Sequence, residues 1–114
     1  MINTNTQLNE MKCSACSGNT PELNINEINN HLKKLNNWTL NDDNKMIFKK
    51  ISFKNFKQAL EFANIVGKLA ESEGHHPDIS IGWGYCLILV HTHAIKGLSI
   101  NDFILASKID LISI

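Results

Sequence analysis

Four of the five histidines lie between positions 75 and 93, namely His75, His76, His91 and His93. An imidazole titrates near neutral pH and can both donate and accept a proton there, which general acid–base chemistry requires. His75 and His76 precede Pro77, and a residue before proline is held in an extended conformation. His75, His76 and His93 are therefore candidate acid–base residues if the fold brings them together.

The segments around these histidines predict how they could meet. Strands are predicted at about 78–81 and 85–92, joined by a Gly-Trp-Gly turn. An antiparallel partner returns to the point where the first strand began, so His93 would lie beside Pro77. The hairpin thus predicts that the three candidate histidines converge at one end of the sheet.

Two other interpretations of the histidines stay open. A histidine that ends a helix or a strand is commonly a polar surface residue, and this holds for each of the three taken singly. His91 and His93 stand two residues apart on one strand face, where a third histidine could complete a zinc site. Carboxylates and cysteines at an obvious ligand spacing are missing from the sequence there, so acid–base chemistry is favoured.

The rest of the chain predicts an α+β fold in the order αββαββα. Apolar residues recur at helical spacing over about 24–35, 55–72 and from residue 99 onward, and short strands are predicted at 38–40 and 46–51. Such an order gives a four-stranded antiparallel sheet with three helices packed on one face. The inward face of the second helix is predicted to comprise Phe56, Ala59, Leu60, Ala63, Val66, Gly67 and Ala70.

Capping signals fix two of the helix starts. Asn24 with Glu27, and Ser99 with Asp102, have the spacing of a capping box. A carboxylate held at a helix start can also orient a nearby ring, so Asp102 is a candidate for both roles. The last strand is apolar on both faces, and helices cover only one, so a second subunit is expected on the other.

Composition narrows the class of protein. A chain of 114 residues forms one core as a rule, and its 11 basic and 11 acidic side chains argue against a nucleic-acid or anionic-membrane surface. Apolar runs fall far short of the ~20 residues that span a bilayer, and the first residues do not resemble a secretory signal. Three cysteines, an odd number in a chain without a predicted export signal, suggest free thiols and a reducing, cytoplasmic location.

Residues 1–22 are polar and lack periodicity, which predicts a flexible N-terminal arm before a domain over residues 23–114. Cys13 and Cys16 have the spacing of half a zinc site, whereas Cys86 lies in an apolar run. Two free thiols in a mobile arm are the favoured interpretation over metal binding or redox chemistry.

One spaced pattern joins the candidate residues: Glu71-x3-His75-His76-Pro77, then x5 to Trp83, x9 to His93 and x8 to Asp102. It resembles the signature of the pterin-4a-carbinolamine dehydratase family, and the likeness covers roughly residues 23–112. One departure is Lys96, where many members have a glycine.

The resemblance implies an α+β fold, a homodimer or homotetramer, and no metal or other cofactor. The implied reaction is the loss of water from 4a-hydroxytetrahydrobiopterin to give quinonoid dihydropterin. This reaction recycles the pterin of aromatic amino acid hydroxylases and implies a functional link to phenylalanine hydroxylase. Position by position, His75 and His93 resemble the acid–base pair and His76 the residue that orients the pterin. The supporting candidates are Asp102, Glu71, Trp83 and Thr92.

Some relatives act instead as non-catalytic dimerisation or assembly modules. A complete set of three histidines favours catalysis, because a scaffold has no use for it. A dehydration assay would separate the two.

Overall fold

The computed structural model describes residues 7–15 and 17–113. The strands are β1 (Thr39–Leu40), β2 (Ile47–Ser52), β3 (Asp78–Gly82) and β4 (Tyr85–Val90), and the helices are α1 (Ile25–Leu32), α2 (Phe56–Glu73) and α3 (Ile100–Asp110). All neighbouring strands are antiparallel, in the order β1-β2-β4-β3. The predicted α+β class and the αββαββα order are confirmed.

The β3–β4 hairpin is the element that matters most for the candidate site. Asp78 at the start of β3 pairs with Leu89 near the end of β4. The residues before β3 and after β4 therefore lie at the same end of the sheet, as the sequence predicted. That end receives His75 and His76 from one side and residues 91–93 from the other.

Helix α1 begins with the predicted reciprocal capping box. Asn24 and Glu27 each accept a hydrogen bond from the other's backbone N–H at 2.9 Å. The helix ends at Leu32 rather than near Leu35, and Leu35 is buried in the loop that follows. Asn37, two residues further on, has a φ of 63° and turns the chain toward β1.

Helix α2 ends where Gly74 adopts the left-handed conformation, with a φ of 67°. Its buried side chains follow helical spacing: Ala59, Phe62, Val66 and Ala70. The prediction that Phe56 and Leu60 point inward is wrong, because they are 44% and 40% exposed. They belong to the adjacent ridge of the helix, about 100° from the buried one.

Helix α3 is buried around most of its circumference. Its inward-predicted residues Phe103, Ile104, Ala106 and Ile109 are all buried, and so is Leu105. A short 3-10 turn at Leu8–Glu10 packs against α3, and Leu8 belongs to the hydrophobic core. Part of the segment expected to be a loose arm is thus packed onto α3, because Leu8 supplies an apolar anchor; the domain start at residue 23 stays a prediction.

The face of the sheet opposite the helices carries Phe48, Leu87 and Leu89, which are each partly buried. Assembly through this face stays a prediction. Within the described ranges, no helix is both long and apolar enough to cross a membrane.

Candidate active site

His75 and Asp102 form a buried pair between the end of α2 and the start of α3. His75 Nε2 lies 2.6 Å from Asp102 Oδ1, and the two side chains are 5% and 0% exposed. A carboxylate only accepts hydrogen bonds, so Nε2 carries the hydrogen. The Gly74 turn and the adjoining backbone bond from His75 N–H to Ala70 O direct the ring toward α3.

The second carboxylate oxygen of Asp102 is held by two donors. Oδ2 accepts from Thr92 Oγ1 at 2.7 Å and from the backbone N–H of Ser99 at 2.9 Å. Ser99 Oγ lies 2.7 Å from Thr92 Oγ1 and donates to it, because Thr92 has already given its one hydrogen to the carboxylate. Asp102 therefore serves both roles foreseen for it, since it accepts from the helix start and orients His75.

His93 lines a cavity. It directly follows Thr92 and begins a 3-10 turn, and its ring centroid is 4.1 Å from that of His91. His91 Nε2 also lies 3.6 Å from Asp78 Oδ2. The cavity has a volume of about 440 Å³, and its lining residues are Asp43, Lys45, Met46, His91, His93 and Lys96.

His76 occupies a different setting. Its Nε2 lies 2.8 Å from Glu71 Oε2, and the two side chains are 60% and 79% exposed. Glu71 belongs to the last turn of α2, so the pair spans the helix end. The cavity described above is lined by His93 but not by His75 or His76. Asp102 connects His75 to Thr92 by hydrogen bonds, and His93 is the next residue in the chain, whereas His76 stands on the solvent side with Glu71.

Trp83 is not brought to the histidines. It occupies the turn of the β3–β4 hairpin and is 74% exposed. Each strand of the hairpin is about five residues long, so Trp83 lies roughly 15 Å from the end of the sheet that holds His75 and His93. The sequence predicts His91 only as a possible metal ligand, whereas in the structure it contacts His93 and lines the cavity. Alternation continued past the end of β4 at Val90 predicts both rings on one side, and their contact agrees with it.

The described part of the chain contains no cluster of side chains that could bind a metal ion. Over residues 7–15 and 17–113, no group of three or more His, Cys, Asp or Glu side chains is positioned to hold a metal ion. Cys13 is a free thiol there, and its proposed partner Cys16 lies outside the described residues.

The chain is similar to known proteins over most of its length. A family model described as pterin 4 alpha carbinolamine dehydratase matches residues 21–112. A protein from Methylococcus capsulatus, provisionally named a pterin-4-alpha-carbinolamine dehydratase, is 46% identical over 103 residues, which is 90% of each chain. One from Rickettsia bellii with the same provisional name is 46% identical over 92% of this chain and 93% of its own.

Among solved structures, a transcriptional coactivator/pterin dehydratase from Brucella melitensis superposes with a TM-score of 0.74 at 27% identity. The match covers 78% of this chain and 95% of the Brucella chain.

Proposed function

Because the chain belongs to the pterin 4 alpha carbinolamine dehydratase family, we propose that it removes water from 4a-hydroxytetrahydrobiopterin to give quinonoid dihydropterin. One observation carries the proposal. The buried His75–Asp102 pair is hydrogen-bonded to Thr92, and the next residue in the chain, His93, lines an open cavity. The volume of about 440 Å³ lies in the range of small-molecule sites and is large enough for a bicyclic heterocycle.

The reaction requires two proton transfers, one to the hydroxyl oxygen and one from N5, which are both bonded to C4a. The bond between C4a and the hydroxyl oxygen breaks, and the oxygen takes a proton so that it leaves as water. N5 loses its hydrogen, and a double bond forms between N5 and C4a. One proton is taken up and one is released, so neither an oxidant nor a metal is needed, and the pterin is substrate rather than cofactor. Positioned acid–base groups supply about 10²–10⁴-fold in such a step.

In the proposed mechanism His75 and His93 exchange these two protons; this assignment follows the family resemblance, since the cavity itself is lined by His93 and not by the buried His75. Asp102 holds the His75 ring in one orientation and stabilises the imidazolium that forms when the ring takes a proton. Packing against His91 limits the orientations open to His93. His76, which Glu71 restrains at the end of α2, binds and orients the pterin.

The wider setting follows from this activity. A dehydratase of this kind returns pterin to an aromatic amino acid hydroxylase, so the expected functional link is to phenylalanine hydroxylase. We propose a cytoplasmic homo-oligomer, dimer or tetramer, that uses the partly buried outer face of the sheet.

The test is a dehydration assay with 4a-hydroxytetrahydrobiopterin formed in situ by a phenylalanine hydroxylase. The protein should accelerate the loss of the carbinolamine above its spontaneous rate, and the double variant H75A/H93A should return it to that rate. His31→Asn, a histidine change in α1 outside the site, is the matched control and should keep full activity.

Two results would count against the proposal. Retention of most activity by a folded H75A/H93A protein would refute the acid–base roles. A wild-type protein that leaves the spontaneous rate unchanged, while still forming its oligomer, would favour the non-catalytic assembly module.

A further inference from the structure

The segment over residues 8–14, here called the strap, is fastened at three places. Leu8 is 6% exposed within the core. The backbone N–H of Cys13 donates to Glu73 Oε1 at 3.0 Å. Ser14 and Asn101 exchange two hydrogen bonds, from Ser14 N–H to Asn101 Oδ1 at 3.0 Å and from Asn101 Nδ2 to Ser14 O at 3.1 Å.

Both polar anchors lie next to the buried pair. Glu73 is the last residue of α2, two positions before His75, and Asn101 directly precedes Asp102 in α3. The strap thus connects the end of the helix that delivers His75 to the start of the helix that delivers Asp102. Lys108 of α3 also donates to Glu73, at 2.7 Å, so the same carboxylate receives hydrogen bonds from the strap and from α3.

The chemistry of Cys13 fits a structural part rather than a reactive one. Burial, together with the nearby Glu73 carboxylate, raises the pKa of the Cys13 thiol to about 12. The thiol therefore stays protonated, and it donates to Asn101 O at a distance of 3.5 Å. A hydrogen bond from the Cys13 backbone and the contact with Lys108 in turn lower the pKa of Glu73, which keeps that anchor charged.

We propose that the strap is a positioning element of the active site, in which Ser14 and Cys13 act through Asn101 and Glu73 to set the geometry of the His75–Asp102 pair. An error of about 1 Å in such a pair can cost about 10²-fold in rate, which makes a second tie between the two helix ends useful. Only the kinetic part of this inference rests on the proposed function.

Ser14→Pro in the full chain tests the proposal, because proline removes the N–H that donates to Asn101. Ser14→Ala keeps that N–H and the carbonyl and is the matched control. Three quantities are measured on protein shown to be folded by circular dichroism: the kcat of dehydration, its KM, and the NMR resonance of the His75 Nε2 hydrogen. The resonance is assigned by its loss in His75→Gln.

We expect S14P to lower kcat roughly tenfold or more, to leave KM within about twofold, and to move the resonance upfield, whereas S14A has a smaller effect on kcat and on the resonance. Leu8→Ala, which loosens the strap at its far end, should act in the same direction and replaces S14P if proline prevents folding. A folded S14P protein with the wild-type resonance and a kcat within about twofold would overturn the proposal, and so would an equal effect in S14A.

The two proposals fail differently. If the wild-type protein has no dehydratase activity but the resonance moves further in S14P and L8A than in S14A, the proposed function fails and the strap proposal stands. If the wild-type protein is active and the resonance stays in place in both variants, the strap fails and the proposed function stands.

Discussion

Replacing Asp102 by asparagine should reverse the hydrogen position on His75. The Ser99 backbone N–H can only donate, so the asparagine must turn its oxygen toward Ser99 and Thr92. Its NH2 group then faces His75 Nε2, which has to become an acceptor and transfer its hydrogen to Nδ1. The opposite amide orientation would set two donors against each other in a buried site, at a cost of about 1–3 kcal/mol.

The consequence for the rate is large. In the variant the neutral amide can neither fix the wild-type tautomer nor stabilise the His75 imidazolium. We therefore expect kcat to fall by roughly 10²–10⁴-fold, since the corresponding exchange in serine protease triads costs about 10⁴-fold for the same reason. Stability should change less, because weaker hydrogen bonds are offset by the lower cost of burying a neutral group; we expect a loss within about 2 kcal/mol.

Asp110 offers a control on the same helix. It too accepts three hydrogen bonds, from the groups Asn36 N–H, Trp38 Nε1 and Lys49 Nζ. Asp110→Asn should therefore destabilise the protein as much as D102N or more while leaving kcat nearly unchanged. Dehydration kinetics measure kcat, and the imidazole nitrogen shifts of His75 report its tautomer. An unchanged His75 tautomer in D102N, or equal losses of kcat in D102N and D110N, would refute this reasoning.

Three further variants test other parts of the structure. Burial lowers the pKa of His31 below its ordinary 6.5. The unfolded chain therefore binds more protons than the folded chain in acid, and this residue weakens the fold as pH falls. In addition, Nδ1 of His31 is buried without a hydrogen-bond partner among the described residues. His31→Leu should stabilise the protein by about 1 kcal/mol and flatten the acid limb of urea unfolding measured from pH 7 to 5, and a destabilised H31L with an unchanged acid limb would contradict this. The pKa of Glu73 is lowered, so its contribution to the free energy of unfolding is present above the ordinary value of 4.5 and disappears as pH falls through the folded value. Glu73→Gln should lower the free energy of urea unfolding by about 1–2 kcal/mol at pH 7 and by progressively less below pH 4.5. A difference that does not depend on pH would count against this. Lys96 has a φ of 51°, so Lys96→Gly should stabilise the chain by about 0.5–1 kcal/mol in thermal unfolding, whereas a lower Tm would show that the Lys96 side chain makes contacts of greater value.

Much of the fold could be predicted because its determinants are local. The Asn24–Glu27 capping box, the left-handed Gly74 and the alternation along β4 each depend on residues close together in the sequence, and each is found in the structure. The antiparallel hairpin then required the residues on either side of it to share one end of the sheet. That single rule placed His75 and His93 in the same region without any long-range information.

The strap could not be predicted by the same reasoning. Its anchors are single contacts across 60 and 87 residues, from Cys13 to Glu73 and from Ser14 to Asn101, and a polar segment without periodicity gives no sign of them. The exposure of Leu60 could not be predicted from the sequence for a related reason. Two adjacent ridges of α2 are both apolar, and only the tertiary packing decides which one is buried.

In the proposed mechanism, Asp102 makes catalysis depend on a helix start. Its Oδ2 completes the backbone hydrogen bonding of Ser99, which any N-terminal turn needs, while its Oδ1 orients a ring 27 residues away in sequence. Since Ser99 and Thr92 hold one oxygen in place, the other has little freedom, and the orientation of the His75 ring depends on the geometry of α3 as well as on the Gly74 turn. A change that frays the first turn of α3 should therefore lower kcat before it unfolds the protein, because the His75 hydrogen bond depends on that turn.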